Sequence, residues 1–392
     1  MTIFSNNPNL NRLSYGFALL FITIGSILQY ITPYFYEMGD ERMGFRVLII
    51  LYLGIFFANF FAPYFIARYG SQKMLVATSI TYIISIIAMT MPNSYLIYAG
   101  TTLLGLSGAI LWNSQNNYLI GISQSDNRGA QSGFFVAVYG VGYAFGVLLL
   151  GYLIELLDYQ RAFYLITIFA FASVYLFYQM DELAHEKQRK STKLPLHALK
   201  SPTLLKSVLS SYFIQSLLFG LAVSIVPLHI ELITGNSIIV GLLSSLFFIT
   251  PLFLSLFIGK ISDTKGRGKM LIMGITIALI GLGIFHYASS LLQLIMGMVA
   301  LSIAQSILFP MSIALQGDIA TPSNQATITN IFVFFKYLGM ILGIVLGSFF
   351  GIEWVYGVTA LMLLIIVVFT FRLLLDESQL KENIMHETQK EV

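Results

Sequence analysis

One ionisable side chain lies deep inside an apolar run of this 392-residue chain: Lys336, within 328–350. On insertion scales an ammonium near the centre of a bilayer costs about 2.5–3.5 kcal/mol, so a chain that keeps one there has a use for it. The chemistry open to it is electrostatic, namely holding an anionic group away from water. The other polar residues of interest in apolar runs are neutral and suited to hydrogen bonding or stacking: Gln29, Asn59, Trp112, Gln115, Tyr139, Gln215 and Gln305. Catalysis has little support. The histidines (His185, His197, His229, His286 and His386) read as loop or run-end residues, none with a carboxylate or second histidine at metal-ligand spacing. With no cysteine and no phosphate-cradling loop, no enzyme, metal site or cofactor is expected.

The elements that must position these residues are membrane spans. Hydrophobic residues make up 57% of the chain, charged residues only 10%, and mean hydropathy is +0.81, values that exclude an ordinary soluble domain. A helix needs about 20 apolar residues to cross the hydrocarbon, and candidate spans fall near 13–35, 45–67, 73–92, 94–118, 133–156, 161–180, 204–228, 238–259, 270–288, 290–315, 328–350 and 352–374. The short alternating strands of a membrane barrel are absent. The expected fold is all-α and polytopic: twelve transmembrane helices in two six-helix pseudo-repeat bundles, 1–180 and 204–374. The charged linker 181–203 would join them, and 375–392 would form a cytoplasmic tail.

Charge gives the orientation. With the N-terminus inside, seventeen Lys and Arg residues fall in cytoplasmic segments, while Arg42, Arg46 and Arg161 fall outside, so both termini are expected in the cytoplasm. The basic residues therefore report topology and not a nucleic-acid site. The polar stretch before the first run lacks a cleavage signature and suggests a signal anchor. The absence of Asn-x-Ser/Thr sites argues against a glycosylated eukaryotic surface protein, and the expected location is a bacterial inner (plasma) membrane. Acids such as Glu37, Glu155, Glu231 and Glu353 fall at span ends, so proton coupling through a carboxylate at mid-depth is not expected.

The two halves repeat each other. Ala67–Leu75 (ARYGSQKML) returns as Asp263–Leu271 (DTKGRGKML) at an offset of 196, and Gly142 and Gly146 return as Gly339 and Gly343 at 197, with Tyr139 opposite Lys336. Gly339, Gly343, Gly347 and Gly351 form a ridge of period four that suits close helix packing, as do Gly142 and Gly146.

Gly259-Lys260-Ile261-Ser262-Asp263-Thr264-Lys265-Gly266-Arg267 resembles the G-x-x-x-D-x-x-G-R loop of the major facilitator superfamily. The first copy departs from it, with Pro63, Ala67 and Ser71 at the glycine, aspartate and arginine positions. Asn59-x-x-Ala62-Pro63, Gly70-x-x-Lys73, Leu28-Gln29 and the run from Leu104 through Trp112 and Gln115 to Tyr118 resemble the Unc-93-like (uncoordinated-93) branch over about residues 13–150. The resemblance implies a transporter of a small solute whose first, fourth, seventh and tenth helices line a central cavity while the halves rock.

In that setting Thr23, Ser26 and Gln29, then Gly105, Gly108, Trp112 and Gln115, then Ser207, Ser211 and Gln215, and finally Ser302, Gln305 and Ser306 would each form a polar stripe. Gly259, Asp263, Gly266 and Arg267 would form a gate loop, with Asp263 facing Arg267, and Asp126 with Arg128 could act alike. Partners implied are a small-molecule solute and the lipid bilayer, with the chain a monomer open to an accessory membrane partner. The alternative is a non-transporting regulator or trafficking escort, since the branch includes an ion-channel regulatory subunit and a receptor-trafficking chaperone.

Because no native cysteine gives background, topology can be tested directly. Ser94→Cys should react with an impermeant maleimide added to intact cells, and Ser191→Cys only after permeabilisation. The reverse pattern would refute the orientation.

Overall fold

A computed structural model describes residues 7–123, 128–183, 202–319 and 325–375. The central linker and C-terminal tail therefore lie almost wholly outside the described residues, together with Asp126 and Ser191.

The described chain is helical. In order it forms α1 (Pro8–Glu37), α2 (Met43–Ala58), α3 (Ala62–Tyr69), α4 (Ser71–Met89), α5 (Ser94–Ile122), α6 (Arg128–Leu156), α7 (Tyr159–Ile166) and α8 (Ile168–Tyr178). The remainder is α9 (Pro202–Val208), a π-helical turn at Leu209–Phe213, α10 (Ile214–Val223), α11 (Ile225–Thr234), α12 (Ser237–Lys265), α13 (Arg267–His286), α14 (Leu291–Ile319) and α15 (Gln325–Leu375). Helices prevail because a bilayer offers no water to backbone amides, so each segment must satisfy its own. Polar residues mark the starts. The Asn7 side chain accepts from the amides of Asn9 and Leu10 before Pro8 opens α1, Asn93 caps α5, and Asp158 caps α7.

Among the described residues ten helices are long and apolar enough to cross a membrane, eleven when α2 and α3 count as one bent span. α15 itself contains a break at Gly351, whose φ of 59° and ψ of −169° are not helical, so it is two helices joined there. This removes Gly351 from the packing ridge: it ends one span and starts the next, and a Cβ there would touch nothing within 4 Å. The second span is not the continuous run 45–67. α2 and α3 meet at 61°, where Pro63 opens α3 and cannot donate back to α2, and the Asn59 side-chain amide turns back to the Ile55 carbonyl at 2.8 Å.

The chain divides into two compact units. The first holds residues 1–190 with 236–245, and the second holds 191–235 with 246–392. The first nine residues of α12 therefore belong with the N-terminal helices. They are fixed there by Glu155, whose carboxylate accepts from the Ser237 amide at 2.5 Å, and by Tyr30, whose hydroxyl donates to the Ser237 carbonyl at 2.8 Å.

Within the first unit α1 packs on α6 and α8, and α5 packs on α2 and α4; within the second, α15 packs on α10 and α13, and α13 on α14. Glycine sets the closest of these approaches. A Cβ on Gly146 would lie 2.5 Å from the Cα and carbonyl oxygen of Ile22, and one on Gly142 would lie 2.8 Å from Ala18 Cα. In the other unit a Cβ on Gly339 would lie 2.5 Å from the Phe213 carbonyl, Gly343 abuts the Leu217 carbonyl, and Gly347 is buried one turn further on.

The repeat also appears in backbone geometry. Gly70, between α3 and α4, has φ 86° and ψ 153°, and Gly266, between α12 and α13, has φ 90° and ψ 146°. An L side chain rarely adopts this conformation, so both copies need the glycine to turn one helix into the next.

Gly146→Ala and Gly343→Ala should each destabilise the fold by roughly 1–3 kcal/mol, because rigid backbone stands where the methyl must go. Gly283→Ala on α13, where a Cβ meets nothing within 4 Å, should be neutral or better. Thermal unfolding in detergent checks the contrast, and equal losses at all three positions would contradict it.

Candidate functional site

The polar stripes expected on α1, on the run from α9 through the π-helical turn to α10, and on α14 separate into two groups. Their hydroxyls are satisfied by their own helices: Ser26 Oγ donates to the Ile22 carbonyl at 2.5 Å, Ser211 to Ser207 at 2.6 Å, Ser302 to Met298 at 2.7 Å and Ser306 to Ser302 at 2.8 Å. Thr23 donates across to the Ile166 carbonyl at 3.0 Å. The serine side chains are short enough to reach back one turn, so their donors are consumed within the helix.

The amides are longer and behave differently. Gln29 is fully buried; its nitrogen donates to the Tyr143 hydroxyl at 3.2 Å, while its oxygen has no partner among the described residues. Gln305 is buried with its amide oxygen equally unpaired, whereas Gln215 accepts from Ser216 Oγ at 3.2 Å. Gln115 is buried on α5. Asn59 accepts from Asn113 Nδ2 at 2.8 Å, a bridge between the α2 end and α5.

Trp112 and Tyr139 meet edge to face, their ring centroids 5.7 Å apart. They belong to a larger cluster that a search for polar residues does not find. Phe17 and Phe21 of α1 pack on Trp112 at 5.5 and 5.4 Å, Phe21 also meets Tyr139 at 4.9 Å and Tyr143 at 5.9 Å, and Phe135 stacks on Tyr139 at 6.0 Å. The signal in the sequence is the spacing of four in Phe17 and Phe21 and in Phe135, Tyr139 and Tyr143, which places each set on one helix face.

Lys336 is half-buried on α15. Its ammonium lies 5.7 Å from the centroid of the adjacent Tyr337 ring, and among the described residues it forms no ion pair and no hydrogen bond, including none with Gln215 or Gln305. A ring face offers an ammonium weak electrostatic support and leaves its donors free.

At the helix-connecting loop, Arg267 bonds Ser262 Oγ and pairs with Asp318 of α14 at 3.4 Å. Asp263 is the third-last residue of α12, and its side chain lies outside the described residues, as does that of Arg128. Gly259 precedes them in open space. His229 differs from its loop or span-end reading: it lies within α11, buried, with Nδ1 3.0 Å from the Tyr356 hydroxyl and the two rings stacked. No cluster of three or more potential metal ligands occurs among the described residues.

Comparison with known proteins places this architecture. The Major Facilitator Superfamily profile matches residues 10–234 and 208–390, so the chain belongs to that superfamily. The fold is shared with solved transporters. A mutant of the nucleoside transporter NupG superposes with a TM-score of 0.74 at 14% identity, covering 93% of this chain and 99% of that one. A mutant of the peptide transporter POT in complex with alafosfalin gives 0.76 at 12%, covering 98% and 97%.

By sequence the chain is similar to the UNC93-like protein MFSD11 of Xenopus tropicalis, 26% identical over 141 residues, and to the unc-93 homolog A of Bos taurus, 31% over 115. These alignments cover 35% and 29% of this chain, and 32% and 24% of those relatives, so they span about a third or less of the curated proteins. Fold and family together support transport across a membrane.

An unpaired buried amide weakens a fold by roughly 1–3 kcal/mol. Gln29→Met and Gln305→Met should therefore leave the unfolding temperature unchanged or raise it. A fall of several degrees in both would mean that the amides are structural and not held open for a ligand.

Proposed function

We propose that the chain is a secondary transporter that moves a small anionic solute by alternating access, in a bacterial plasma membrane with both termini in the cytoplasm. The observation that carries the anion is Lys336: an ammonium in a membrane span whose one neighbour of note is a tyrosine ring. A bound anion would supply the charge that the described residues do not, and would explain why the unfavourable position is kept. The 17-to-3 distribution of basic residues supports the orientation. Membership of the superfamily supports alternating access, because its pseudo-repeats give two bundles able to rock. Nucleosides and peptides are what the solved neighbours are named for, and the solute here is a separate question.

Gln29, Gln115, Trp112 and Tyr139 in the first unit and Gln215, Gln305 and Lys336 in the second are the side chains proposed to meet solute. Asn59 is proposed for a structural part at the α2 bend. Gly259, Asp263, Gly266 and Arg267 are proposed as the gate loop, with Asp318 added as the carboxylate that Arg267 reaches. The alternative of a regulatory or escort protein rests on the Unc-93-like similarity, and predicts one stoichiometric membrane partner and no solute flux.

Reconstituted in proteoliposomes and screened for anion flux, the Lys336→Gln protein should lose flux at least about tenfold with folded yield intact, the scale of one lost charge contact. Lys336→Arg should retain part of it. Equal flux in wild type and Lys336→Gln would overturn the anion assignment.

A further inference from the structure

The aromatic cluster of the first unit is open at one place and has an unused polar group at another. Trp112 and Tyr139 are only half-buried, so the edge-to-face pair that joins α5 to α6 presents ring surface that the fold does not cover. Tyr143, 6.4 Å from Tyr139, takes the Gln29 amide nitrogen, and the buried Gln29 oxygen next to it accepts nothing among the described residues. Buried polar groups normally find a partner, so an amide oxygen left without a donor beside half-covered rings has an interaction still to make. The helices involved carry few acids: Glu37 near the end of α1, none in α5, and Glu155 near the end of α6. The cluster therefore lacks the carboxylate that normally accompanies an aromatic cage for an organic cation.

We infer that Trp112 and Tyr139 form a subsite for a planar aromatic or heteroaromatic ring of the solute, and that this ring bears an N–H or O–H group donated to Gln29 Oε1. The inference rests on the transport reading for its purpose, but it specifies what neither the family nor Lys336 does: an uncharged or anionic aromatic, with a donor. Stacking gives ring selectivity that is indifferent to substituents, and the amide selects among rings.

The chain holds two tryptophans, and Trp354 is exposed on α15, so Trp354→Phe leaves Trp112 as a single fluorescent reporter inside the proposed subsite. Purified Trp354→Phe protein is titrated with uracil, 4-hydroxybenzoate, benzoate and cyclohexanecarboxylate. Uracil is neutral, so its binding does not depend on the Lys336 assignment.

Trp112 emission should change saturably with uracil and 4-hydroxybenzoate, at concentrations about tenfold or more below any effect of cyclohexanecarboxylate, the scale of one stacked ring. Gln29→Leu should bring 4-hydroxybenzoate and benzoate to within about twofold of each other, since the hydroxyl then has no acceptor. By equilibrium dialysis Trp112→Leu should weaken the aromatic probes about tenfold while Trp112→Phe retains most of the binding.

No saturable change with either donor-bearing aromatic, equal response to the alicyclic acid, or unaltered binding in Trp112→Leu would overturn the subsite. Flux of a non-aromatic anion alongside any of those results would leave transport standing without it. Aromatic binding with no flux of any solute would do the converse.

Discussion

Backbone-to-backbone contact at glycine underlies both units. Where α6 crosses α1 and where α15 crosses α10, the surfaces that meet are carbonyls and Cα atoms, because Gly142, Gly146, Gly339 and Gly343 offer no side chain. In lipid there is little hydrophobic gain from pressing two apolar helices together, so close van der Waals contact has to supply the association. Gly220 reinforces this on α10, with its own position against the Met340 carbonyl and Gly343. Relatives of the same device recur at Gly54 and Gly105 between α2 and α5, whose Cα atoms define the approach. Helices fixed this tightly can hold side chains elsewhere on their surfaces in defined positions, and the aromatic cluster on α1 and α6 lies along such a pair.

The polar residues of the spans divide by reach. Many serine and threonine hydroxyls, such as those of Ser26, Ser211, Ser302 and Ser306, fold back on carbonyls a turn away, whereas those of Ser14, Ser114, Ser173, Ser244 and Thr359 are buried without a partner among the described residues. Glutamine amides extend beyond that distance and keep one end unpaired, as at Gln29 and Gln305. Lys336 goes further, with a full charge and no counter-charge among the described residues.

Much of the fold was legible in the sequence because a bilayer imposes length on apolar runs and polarity on what joins them. Twelve runs, the repeated loop at Gly70 and Gly266 and the paired glycines all came from residue type and spacing. What escaped had a common character: it depended on atoms brought together from distant positions. The bend between α2 and α3 was visible only as Pro63 within a continuous apolar run. The attachment of the start of α12 to the first unit needed Tyr30 and Glu155 to meet Ser237 across more than 80 positions. Among the candidate site residues, Trp112, Tyr139 and Gln29 stand out in the sequence as polar or amphipathic exceptions, while Phe17, Phe21 and Phe135 do not, because phenylalanine is ordinary in a membrane span. His229 has the position of a span-end residue in the sequence, and nothing in the local sequence announces the Tyr356 hydroxyl.

The matching turns at Gly70 and Gly266 bear on how such a chain can change. Both hold the same backbone hand, yet one is flanked by Asp263 and Arg267 and the other by Ala67 and Ser71. A corner enforced by the absence of a side chain makes no demand on the chemistry of its neighbours. The two corners differ accordingly in what they pair with, Arg267 with Asp318 beside one and Lys73 with Glu182 beside the other, while the backbone geometry that returns the chain to the membrane stays the same.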